Sequence, residues 1–95
     1  MIEVELYPQP GLAVFDGHVI EIWHGQLAKS TYRWHVRFIK SAWCTSPDKS
    51  GRTVIYVDME VMGRMVVGTT SSEQRQAAEQ FITGINDVIA KDTNG

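Results

Sequence analysis

The sequence lacks the material for a disulfide, a leader peptide or a membrane span. Cys44 is its single cysteine, so no intramolecular disulfide can form, and the expected compartment is a reducing one. No apolar run approaches the ~20 residues that cross a bilayer. The opening MIEVELYP carries two Glu and no basic segment, unlike the start of a signal peptide. The expectation is a cytoplasmic protein with every residue kept in the mature chain.

Catalytic motifs are missing as well. There is no G-x-S-x-G elbow, no Walker-type glycine loop and no Rossmann fingerprint. Cys44 sits among apolar residues, where a thiol serves as a small buried side chain. His18 and His24 bracket one expected strand, and six residues of strand span ~20 Å, too far for both to reach one metal ion. Neither Cys-x-x-Cys nor His-x-x-x-His spacing occurs. The sequence therefore predicts no enzyme, no cofactor and no metal.

Basic excess is the third absence. The net charge is −2, so the chain as a whole does not attract a polyanion, and a nucleic-acid partner is not expected. The charge is also unevenly placed. Residues 1–28 hold Glu3, Glu5, Asp16 and Glu21 but neither Lys nor Arg. Residues 29–40 hold Lys29, Arg33, His35, Arg37 and Lys40 and no acid. The split predicts acidic and basic strands that satisfy each other across a sheet.

What is present suits a small globular protein. An apolar share of 43% against 21% charged is well away from disordered compositions, and 95 residues leave room for one core, so residues 1–95 are expected to form a single domain. IEVELY (2–7) alternates with the period of a half-buried strand, and PQPG then breaks it. LAVF and HVIEIWH flank Asp16-Gly17, a pair that supplies positive φ at both centres of a type I′ hairpin turn. GQLAKS is a connection. In TYRWHVRFIK, Tyr32, Trp34, Val36 and Phe38 are expected on one strand face and Arg33, His35 and Arg37 on the other, with a bulge, bend or short turn at Phe38-Ile39. SAWC, TVIYVDMEV and RMVVGTT continue the strands, with turns at TSPDKSG and Met62-Gly63.

The periodicity then changes. Thr70 precedes Glu73 by three residues and Ser71 precedes Gln74 by three, and either pair fits a capping box. Ala78, Phe81, Ile82, Ile85, Val88 and Ile89 form a helical stripe, expected over about Ser72 to Lys91 and docked on the sheet. Gly84 costs that helix ~1 kcal/mol relative to Ala, and close packing against a strand would account for it. The expected fold class is α+β, with six to seven antiparallel strands and one C-terminal helix.

Three stretches resemble a bacterial pleckstrin-homology-like domain of the small actinobacterial type: LAVFDGHVIEI, RWHVRFIKSAW and GRMVVGTTSSEQRQAAEQFITGIN. The resemblance covers roughly residues 11–90 and implies a small, partly open barrel plugged at one end by the helix. Members that bind phosphoinositides do so with Lys and Arg on and around the first hairpin loop. Here that loop is Asp16-Gly17, so the resemblance does not imply phosphoinositide binding. It also implies no common catalytic role.

Two functional readings follow. The first is a non-enzymatic interaction module that presents a strand edge or groove to a protein partner or to its own copy. The second is an anion or lipid-headgroup binder acting through the basic strand at residues 33–40, with Arg33, His35, Arg37 and Lys40 as its binding residues. Trp34 faces opposite to Arg33 and Arg37 in a regular strand, which suits a core residue better than a nucleic-acid platform. The edge-forming composition of IEVELY, set apart behind PQPG, predicts a weak homodimer with residues 2–7 at or near its interface, where Glu3 and Glu5 approach Arg33 and Arg37 of the same or a neighbouring chain.

Overall fold

The computed structural model describes residues 1–7, 11–24 and 32–94, and of the last three of these the backbone alone. The PQPG break (at 8–10) and the 25–30 connection lie outside the described residues. Within them, seven antiparallel strands form two sheets and one helix follows. The first sheet has the order β1 (Ile2–Glu5), β2 (Gly11–Phe15), β3 (Val19–His24), β4 (Tyr32–His35). The second has the order β5 (Ile39–Cys44), β6 (Thr53–Met59), β7 (Gly63–Thr70). A 3-10 turn, Ser72–Gln74, leads into α1 (Arg75–Asn94).

Period-two alternation is visible in the burial. On β6, Thr53, Ile55, Val57 and Met59 are buried, while Val54, Tyr56 and Asp58 are half-buried on the outer face. Val4, Leu6, Ala13, Phe15, Ile20, Ile22 and Trp34 contribute the first sheet's share of one common core. From α1, Ala78, Phe81 and Ile85 enter that core fully, and Ile82, Val88 and Ile89 pack at its margin. Burying a side chain such as Phe81 or Ile85 contributes about 1.5–3 kcal/mol. The expected close approach at Gly84 is found, because a Cβ there would lie 2.8 Å from Ile2 Cδ1 and 3.8 Å from the Phe15 ring.

The sheets do not close into a barrel. Tyr7 and Thr69 make a single bridge between them, with the Tyr7 N–H donating to Thr69 O at 2.7 Å. On the other side β4 and β5 are not paired, and a 3-10 turn, Val36–Phe38, separates them.

Four expectations need correction. First, the short turn expected at Phe38-Ile39 begins earlier, at Val36, and runs to Phe38. The Val36 N–H reaches His18 O at 2.7 Å, and His35 Nδ1 accepts the Arg37 N–H at 3.1 Å, so the chain coils where alternation predicts a strand. Phe38 is consequently half exposed and does not share Trp34's burial. Second, β1 is not free to swing away, since Val4 and Leu6 are among the most buried residues and α1 packs on the strand. Third, the capping box does not form. Ser71 makes no side-chain cap, the Thr70 hydroxyl meets that of Thr53 at 2.8 Å, and Gln74 is engaged by β1. Fourth, no non-glycine residue has positive φ, so Asp16-Gly17 is not the centre of a type I′ turn. The two-residue loop is Gly17-His18, with Gly17 alone at positive φ (+103°), and the Asp16 carboxylate accepts the His18 and Val19 amides.

Candidate functional site

Sheet edges set the possibilities, because each offers a row of backbone donors and acceptors to another chain. The bond from Val36 to His18 fixes the phase of β4. Tyr32 and Trp34 direct their backbone groups toward β3, and Arg33 and His35 turn theirs to the outer edge. The same reasoning at β1 turns Glu3 and Glu5 outward.

The helix and the 3-10 turn that leads into it each engage one edge with a side-chain amide. Asn86 lies against β5, where its Oδ1 accepts the Ala42 N–H and its Nδ2 donates to Ala42 O, both at 2.9 Å. One carboxamide thus stands in for a neighbouring strand. At β1, Gln74 Oε1 accepts the Glu5 N–H at 3.1 Å. β7 meets Tyr7 at Thr69. Among the described residues no strand or side-chain amide covers the outer edge of β4.

That uncovered edge borders a groove of about 570 Å³. Val19, Trp34, Phe38, Met59, Val61 and Met62 line it, together with Arg33 and His35. Five segments build it: the start of β3, β4, the 3-10 turn after it, the end of β6 and the β6–β7 turn. Val61 is 91% exposed and Met62 58%, an unusual placement for two large apolar side chains in adjacent positions.

The four predicted binding residues do not form one row. Arg33 and His35 line the groove, and Arg33 also lies 3.9 Å from Glu21, its cross-strand neighbour. The acidic and basic strands therefore meet at this pair, as the charge split predicts. With the Arg33 side chain 67% exposed, the pair contributes no more than about 1 kcal/mol. Arg37 belongs to the 3-10 turn and holds its guanidinium 5.8 Å from the Phe38 ring centroid. Lys40 takes the extra position of a bulge at the start of β5 and lies outside the groove. Glu3 and Glu5 stand on the opposite edge of the first sheet from Arg33, so no pairing between them occurs within one chain.

A second cluster was missed by sequence reasoning. On the outer face of the three-stranded sheet, Trp43 stacks on Tyr56 with centroids 4.6 Å apart, and the Arg64 guanidinium lies 4.7 Å from the Trp43 ring. Asp58 accepts from Trp43 Nε1 at 3.1 Å and from Arg64 Nε at 3.5 Å. The signal was alternation on β6, which places Tyr56 and Asp58 on one face. These groups satisfy one another, and the cluster reads as a brace on the sheet. Cys44 lines a small pocket of about 210 Å³ with Thr45, Thr53, Arg75 and Glu79, and none of the three histidines lines it.

Electrostatics at the first hairpin oppose an anion. The amides of Val19 and His18 both donate to Asp16 Oδ1 at 2.8 Å, and these bonds hold the carboxyl below its ordinary value of 3.8. The sign follows from linkage. A depressed carboxyl stabilises the fold above its unfolded value, and that contribution fades as pH falls through 3.8 and below. Asn in place of Asp16 keeps the accepting oxygen without the titration. Urea midpoints of Asp16→Asn are therefore expected to fall less than wild type's between about pH 7 and pH 3. An equal fall in both would exclude this role for Asp16.

Comparison with known proteins finds no matching family model, no matching curated protein and no matching solved structure.

Proposed function

We propose that the chain is a non-enzymatic interaction module that offers the outer edge of β4 and the adjoining groove to a protein partner. The observation that carries this reading is the contrast between edges. Asn86, Gln74 and Tyr7 each engage one residue on the edges of β5, β1 and β7, whereas among the described residues nothing does so on β4, which lies beside exposed Val61, Met62 and Phe38. Backbone pairing would supply affinity and the groove would supply specificity. A four-stranded and a three-stranded sheet with a C-terminal helix also suit a pleckstrin-homology-like barrel left open between β4 and β5. The lone thiol fits a cytoplasmic setting.

The competing reading, an anion or lipid headgroup held by Arg33, His35, Arg37 and Lys40, has less support, because the 3-10 turn and the bulge disperse those side chains. Salt separates the two. A lysate pull-down with wild type and with a Val61→Asp/Met62→Asp variant, together with flotation on phosphatidylserine vesicles, provides the test. A protein retained at about 0.5 M salt by wild type and lost from the variant is the expected result. Vesicle binding that salt abolishes, with no protein retained, would overturn the module.

A further inference from the structure

From the charge around the open edge, we infer that the occupant of β4 is an extended peptide segment in which acidic and apolar residues alternate. The inference rests on the reading of β4 as the docking edge. An incoming antiparallel strand would bond to the outward backbone groups of Arg33 and His35. Its side chains would then alternate between two environments. The residues opposite Arg33 and His35 share the outer face with an imidazole and with a guanidinium that Glu21, at 3.9 Å, leaves largely exposed. The residue opposite Trp34 shares the inner face and enters the groove beside Phe38, Val61 and Met62. Acid, apolar, acid is the pattern that satisfies both faces. The 3-10 turn at Val36–Phe38 ends the edge and limits the paired segment to about four residues, and Arg37 stands just beyond it.

The same charges argue against a second copy of this chain. Antiparallel pairing of β4 with its own copy about Arg33 sets Arg33 against Arg33, and like charges directly opposite are unfavourable. The acidic β1 of a second copy is no better placed. Its Glu5 N–H is already held by Gln74 and its Tyr7 N–H by Thr69. The occupant is a foreign acidic strand.

The test is an amide-resolved NMR titration of the full chain with three peptides: four Glu-Val repeats, four Lys-Val repeats, and the Glu-Val peptide N-methylated at alternate residues. Shifts from Glu-Val are expected at residues 32–38 and 59–62, with slowed exchange of the Arg33 and His35 amides. Lys-Val should bind at least about tenfold more weakly, and the N-methylated peptide should not bind, since it keeps the side chains and loses the ladder. Arg33→Glu should weaken Glu-Val by about fivefold, the scale of an exposed pair turned repulsive. Equal binding of Glu-Val and Lys-Val at β4 overturns the acidic occupant and leaves the docking edge standing. The acidic occupant is also overturned if Glu-Val fails to shift β4 while a captured partner does. If the captured partner leaves β4 unshifted too, the module reading falls with it. Shifts at β4 that depend on protein concentration alone would restore the second copy as occupant and overturn the inference. The same shifts produced by phosphatidylserine vesicles and by no peptide would replace the peptide with a membrane.

Discussion

Phe81→Ala is expected to cost about 3–5 kcal/mol, a large part of the roughly 5–15 kcal/mol that holds a small domain together. Phe81 is fully buried, and its ring meets Phe15 edge-on at 6.4 Å and 75°. Truncation removes the transfer energy of the ring, that edge contact of about 0.5–1.5 kcal/mol, and the packing around a cavity roofed by α1. Phe81→Leu keeps much of the volume and should lose far less. Urea denaturation of the three proteins decides the matter. An alanine variant within about 1 kcal/mol of wild type would mean that α1 does not dock through this face.

The second large effect is expected at Asn86. Asn86→Leu deletes both hydrogen bonds to Ala42 and leaves a half-buried N–H and C=O on β5 without partners. Each orphaned group costs about 1–3 kcal/mol, and partial access to water puts the pair near 2–3 kcal/mol in total. A second consequence separates this variant from a simple packing defect. With its side-chain amide gone, β5 becomes an open edge, so the variant should associate as its concentration rises. Sedimentation velocity reads the association and urea melts read the stability. A variant that loses stability yet stays monomeric would show that Asn86 stitches the helix to the sheet without guarding the edge.

The residues that were legible in the sequence are those whose role is set by neighbours one turn or one pleat away. Alternation located β1, β2, β3 and β6, and the stripe from Ala78 to Ile89 located α1 and its inner face. The stretch from Val36 to Phe38 was misread because Tyr32, Trp34, Val36 and Phe38 keep an unbroken period of two. Alternation gives no weight to the His35 ring, which accepts the Arg37 N–H and tightens the chain. Thr70 and Gln74 were assigned to the helix cap on spacing alone. In the fold they have partners from Thr53 and Glu5, far away in the sequence. Asn86 is one of several polar residues off the helical stripe, and nothing local marks it as a surrogate strand. The groove was invisible for a related reason, since Val19, Trp34, Phe38 and Met62 come from separate segments that only the folded sheets bring together.

The contacts that secure β1 bear on how the chain is made. Glu5 and Gln74 are 69 residues apart, and Tyr7 must reach Thr69. A ribosome adding about 5–20 residues per second needs several seconds to cover that distance. Throughout that interval β1 has its hairpin partner β2 at most, and its outer amides have only water. The β5–β6–β7 meander, by contrast, pairs neighbours in sequence and can form as soon as it emerges. Of the seven strands described, β1 is made first and is therefore among the last to be secured, and its exposed edge must be kept from other chains until the helix arrives.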